Sequence, residues 1–137
     1  MKATGFRYCM LIGALALLGI AIFYFSSYVV VLKIALANSG VQPFVQESVR
    51  ALWLSFAFQG LLIGLLYALV AYQPHTVTRE VIVILGLMQL VESILMFVFA
   101  GSRTVAFLLI LAALFVLLGS LLWPKKLPPS MGGSEQL

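Results

Sequence analysis

The sequence predicts an all-α fold, a four-helix transmembrane bundle with both termini cytoplasmic. Three observations carry that prediction. Hydrophobic residues make up 64% of the 137 residues and charged residues only 9%, whereas a soluble domain needs about 25% charge to cover its surface. Four apolar runs, at 9–32, 51–72, 81–100 and 104–123, each match the ~20 helical residues that cross a hydrocarbon core. Every charged residue except Glu92 falls at the chain ends or between the runs. A soluble enzyme, a disordered chain and a nucleic-acid-binding module are thereby excluded, and nucleic acid is not an expected partner.

The first run follows Lys2 and Arg7. A cleavable signal peptide would have that basic start, and Ala35-Leu36-Ala37 resembles a cleavage motif. The apolar run is longer than a signal core, however, and Lys33 intervenes, so a retained anchor is expected. Pro43 suits the first turn of the second helix, where a missing N–H costs little. Glu47 and Arg50 are then one turn apart. Gln73-Pro74-His75 breaks the second run, and Glu80 complements the positive N-terminus of the third helix. Gly101-Ser102-Arg103 leaves room only for a tight turn, which makes the third and fourth spans an antiparallel hairpin. Pro124 stops the fourth helix. Residues 1–123 thus form the bundle, and 124–137, with Pro128-Pro129-Ser130 and Gly132-Gly133-Ser134, read as a flexible tail.

Orientation follows from the cations. A cytoplasmic N-terminus puts Lys2, Arg7, Arg79, Lys125 and Lys126 inside, against Lys33, Arg50 and Arg103 outside. Tyr8, Tyr72 and Trp123 suit one membrane interface, Tyr28 and Trp53 the other. The expected location is multi-pass, in a bacterial inner membrane.

Chemistry-bearing residues are few. The chain has four acids, all Glu, together with one Cys and one His. No internal disulfide, metal site or cofactor is expected from that set, and no enzymatic activity. Glu92 is the chief candidate, because an intramembrane acid costs about 2.5–3.5 kcal/mol even on a lenient insertion scale. It lies about 13 Å below the outer end of its span. Gln89 is one turn away and Ser93 is adjacent. Gln59, about 12 Å deep in the second span, comes to a matching height, with Ser55 one turn above it. Tyr24, Ser26 and Ser27 add polar groups from the first helix, and Arg103 is a candidate for the rim. Glu92, Gln89, Gln59, Ser55, Ser93 and Arg103 are therefore the expected ligand-binding set, around a small polar cavity open to the outer face.

Two readings of Glu92 stand side by side. In one it titrates or binds a cation, with Gln59 and Gln89 orienting the ligand. In the other a protonated Glu92 donates a hydrogen bond to Gln59 and fastens two helices. Arg50 is expected to pair with Glu47. Gly60 and Gly64 form a small-residue pair that admits another helix closely, within the chain or from a second copy. Gly13, Ala16 and Gly19 offer similar surface on the first helix. Met88, Met96, Phe97 and Phe99 fill the bundle or face lipid, and His75 sits in an exposed loop. Cys9, at the inner end, is a candidate for acylation.

Several small membrane families fail on particular residues. Small multidrug transporters carry their Glu in the first helix, vitamin K epoxide reductase relatives need cysteine pairs, lipoprotein signal peptidases need paired Asp, and claudin-like proteins need a Cys motif. The stretch Val49-Arg50-Ala51-Leu52-Trp53, the glycines at 60 and 64, a short Pro-containing loop and two tightly joined spans resemble the DoxX-like small bacterial membrane proteins and their uncharacterised relatives. The likeness covers 50–123 and departs at Glu92, where such proteins often carry an Arg. It implies architecture rather than activity.

The expected function is that of a non-catalytic membrane protein, either an accessory subunit or a binder of lipid or another apolar small molecule. The alternative is a small oligomeric proton- or cation-coupled transporter using Glu92. Membrane lipid is the expected partner, with a larger membrane protein, or a second copy through Gly60 and Gly64, as the protein candidates.

Overall fold

A computed structural model describes residues 2–100 and 103–124. The turn at Gly101-Ser102, the cations Lys125 and Lys126 and the expected tail from 125 onward lie outside the described residues. The described chain is all α-helical in its regular structure: α1 (Lys2–Ser27), α2 (Lys33–Ala37), α3 (Pro43–Tyr72), α4 (Arg79–Leu95) and α5 (Arg103–Leu121). A π-helical turn at Tyr28–Leu32 joins α1 to α2, and a second, at Met96–Ala100, extends α4. Four helices are long and apolar enough to span a membrane: Thr4–Ala37, Pro43–Tyr72, Arg79–Val98 and Arg103–Leu121.

Local chemistry sets the helix ends. Gly40 has a φ of +64°, a left-handed turn conformation that glycine adopts without a Cβ penalty, and it helps reverse the chain between α2 and α3. Pro43 occupies the first turn of α3. At the other end the Gln73 N–H bonds the Leu69 carbonyl at 2.8 Å, and Pro74 prevents any continuation. The first span, Thr4–Ala37, runs for 34 residues, about 51 Å at 1.5 Å per residue. That exceeds the ~30 Å hydrocarbon core, and neither its π-helical turn nor α2 buries a residue. This end projects beyond the packed bundle.

Packing order departs from chain order. The central helix, α1, packs against both α3 and α5, and α5 packs against α4. The backbones of α3 and α4, neighbours in sequence, have no extensive contact with each other. Going round the bundle the order is α3, α1, α5, α4, with a seam where α3 and α4 face one another.

Small residues make the α1 contacts close. A Cβ on Gly64 would lie 3.2 Å from the Ala14 carbonyl, and one on Gly60 would lie 3.4 Å from that of Leu17. This pair is taken up by the α1–α3 contact within the chain. Gly13 faces α5, whereas Gly19 has nothing within 4 Å of an added Cβ, so it takes no part in packing. The fully buried core includes Met10, Tyr67, Ile82 and Val116, with Phe6 and Leu17 beside them. Phe6 meets Trp123 edge to face, with centroids 5.2 Å apart, and closes one end. Outward, Leu15, Ile22, Leu62, Ile84 and Phe107 are all more than 60% exposed. Apolar residues on every side suit helices whose solvent is lipid.

Candidate functional site

A cavity of about 280 Å³ lies among α1, α3, α4 and α5. Leu17 and Ile20 line it from α1, Gly60 and Ile63 from α3, Leu95 from α4 and Leu109 from α5. Its polar groups are Tyr24, Gln59, Gln89 and Glu92. The wall is therefore mostly apolar, with Gln59, Gln89 and Glu92 on the two helices that border the seam and Tyr24 on α1.

Two side-chain hydrogen bonds cross that seam. Gln59 Nε2 donates to Glu92 Oε1, bringing together the pair whose heights the sequence matched. The amide is the donor, whereas one of the two readings of Glu92 has a protonated carboxyl donate. Deeper along the seam, Gln89 Nε2 donates to Tyr67 Oη at 3.1 Å. Gln89 is completely buried, and its Oε1 has no hydrogen-bond partner.

The other expected site residues lie elsewhere. Ser55 is exposed on α3 and does not line the cavity. Ser93 is buried, yet its Oγ is spent on the Leu90 carbonyl at 2.7 Å. A hydroxyl on a helix commonly donates to the preceding turn, and Ser93 is not among the cavity residues. Arg103 is exposed at the start of α5 and is not among the cavity residues. Ser26 likewise bonds back to the carbonyls of Ile22 and Phe23. Arg50 pairs with Glu47 in an (i, i+3) ion pair, as expected, and His75 is exposed.

Tyr67 is the polar residue that sequence reasoning missed. Counting residues from the shared Gln59–Glu92 height puts it about five residues deeper than Gln89's level, or ~7.5 Å. Helical side chains lean toward their own N-termini, so Tyr67 and Gln89 lean toward each other across an antiparallel seam. Tyr67 also follows Gly64 by three residues and shares its buried face. That spacing was the available signal.

A second cavity of about 260 Å³ adjoins the first and shares Tyr24, Phe56 and Met96 with it. These three side chains form the partition. Tyr24 Oη lies 3.5 Å from Met96 Sδ, its ring stacks against Phe56 with centroids 6.3 Å apart, and Trp53 Nε1 donates to the Tyr24 carbonyl at 3.0 Å. Met96 thus borders both cavities rather than serving only as filler.

Among the described residues no group of three or more His, Cys, Asp or Glu is placed to hold a metal ion. Chemically, the site offers an apolar volume with acceptor and amide groups on one wall. No family model, curated protein or solved structure matches this chain.

Proposed function

We propose that this chain is a non-catalytic multi-pass membrane protein that holds an apolar small molecule or a lipid chain in the cavity beside the α3–α4 seam. The observation that supports this reading is the cavity itself. About 280 Å³ of mostly apolar space is nearly twice the ~150 Å³ that accommodates benzene in a protein core. Ligand sites are mostly apolar with a few placed polar groups, and Gln59, Gln89 and Glu92 fill that role. The bordering seam gives a lipid-soluble molecule a side entrance, because α3 and α4 lack an extensive backbone contact. The positive-inside bias of the loops supports cytoplasmic N- and C-termini.

Native mass spectrometry of the gently solubilised chain, wild type beside Glu92→Gln and Ile63→Phe, tests the reading. The wild type is expected to carry one apolar molecule per chain. Ile63→Phe fills the cavity and is expected to lose that molecule. Co-purification with a larger membrane protein, unchanged in both variants and with no small molecule bound, would favour an accessory subunit instead. Retention of the fold with loss of ion coupling in Glu92→Gln, after reconstitution in vesicles, would favour the transporter alternative.

A further inference from the structure

The polar wall of the cavity carries a carboxylate and a buried acceptor without a partner. Gln59 commits its Nε2 to Glu92, and no hydrogen bond engages its own oxygen. One Glu92 oxygen accepts that bond, and none engages the other. Gln89 commits its Nε2 to Tyr67 and leaves a buried Oε1 without a partner. Of these acceptors Gln89 Oε1 is the buried one, on a residue that lines the cavity together with Gln59 and Glu92. Unmade hydrogen bonds at buried polar atoms are costly.

No Lys, Arg or His among the described residues lines the cavity, and the Arg50–Glu47 ion pair lies away from it at the start of α3. A carboxylate removed from water calls for a counter-charge. The missing complement is thus a group that donates hydrogen bonds and carries positive charge. An alkyl ammonium meets both conditions with its three N–H donors.

Resting on the reading of the cavity as a ligand site, we infer that it takes a primary ammonium on an apolar body of roughly ten heavy atoms. The ammonium sits against Glu92, Gln59 and Gln89, and the apolar body lies along Leu17, Ile20 and Leu109. The same chemistry is available from a free alkylamine and from the headgroup of an aminolipid.

The test uses the full chain in a nonionic detergent, titrated by calorimetry with decylamine, decanol, decanoate and decyltrimethylammonium. Decylamine is expected to bind once per chain, roughly tenfold or more tighter than decanol or decyltrimethylammonium, and decanoate not to bind. Glu92→Gln should erase the preference for decylamine over decanol. Gln89→Met should reduce it, and the wild-type ligand series reads the same point if either variant misfolds.

Equal binding of decanol and decylamine would overturn the ammonium assignment while leaving the apolar cavity reading intact. Decyltrimethylammonium matching decylamine would overturn the donor role of the N–H groups. Binding of none of the four would overturn both readings. Given decylamine binding, competition from phosphatidylethanolamine but not phosphatidylglycerol in nanodiscs assigns the source to an aminolipid. Competition from neither lipid assigns it to a free amine.

Discussion

At Gly13 a Cβ would sit 2.6 Å from Val116 Cγ2, and a β-branched neighbour has little freedom to retreat. Gly13→Ala should therefore destabilise the bundle by about 1–3 kcal/mol, the usual range for overpacking, read as a lower unfolding temperature in detergent. Gly19→Ala on the same helix meets open space and should leave that temperature unchanged or slightly raised. The sequence offered Gly13 and Gly19 as equals. Which of them faces α5 depends on how α1 is rotated, and a helix apolar on every side carries no stripe from which to read rotation. Polar residues were more legible. Gln59, Gln89 and Glu92 stood out because polar side chains are rare within these spans, and all three line one cavity. Ser55, Ser93 and Arg103 were grouped with them by position along the helices; Ser55 and Arg103 are exposed, and the Ser93 hydroxyl bonds a backbone carbonyl.

Between elements, the notable feature is the seam. With no extensive backbone contact between α3 and α4, the hydrogen bonds Gln59–Glu92 and Tyr67–Gln89 are the polar ties across it. A double-mutant cycle of Gln59→Leu and Glu92→Leu should give a coupling of about 0.6 kcal/mol, with ~1.7 as the upper end seen for interhelical bonds in lipid. Equilibrium unfolding in mixed micelles measures it. A coupling near zero would mean that the two helices are held only through α1 and α5. The α4–α5 hairpin was legible from its tight turn, since so short a connection forces adjacent antiparallel packing. The central place of α1 was not. Gly60 and Gly64 marked a close-approach face on α3, yet a small-residue pair does not name the helix that fills it.

For the whole molecule, the decisive question is how the proposed membrane orientation sets the bundle between lipid and water. The proposed orientation puts the α2–α3 connection outside and the α3–α4 connection inside. In a background with Cys9 replaced, Gln42→Cys should react with a membrane-impermeant maleimide in intact cells. His75→Cys should react only after permeabilisation; both positions are exposed. The reverse pattern would place the termini outside and turn the cavities toward the opposite face. Aromatic contacts fasten the bundle near both ends, Phe6 with Trp123 and Tyr24 with Trp53. The space between them is left to aliphatic side chains, Tyr67 and the cavity.

The sequence by itself determined the fold class. Sixty-four per cent hydrophobic residues arranged in four long runs leave the backbone no option in lipid but to satisfy its hydrogen bonds within helices. It also singled out the mid-span polar residues, because each is costly to place there. Only the tertiary structure decided the order of the helices around α1, the open seam and the cavity beside it. The physical reason is that lipid is as apolar as the helices it surrounds, so hydrophobicity drives a segment into the membrane without saying which face meets which. That choice falls to close packing at residues such as Gly13, Gly60 and Gly64, and packing is a property of pairs of surfaces.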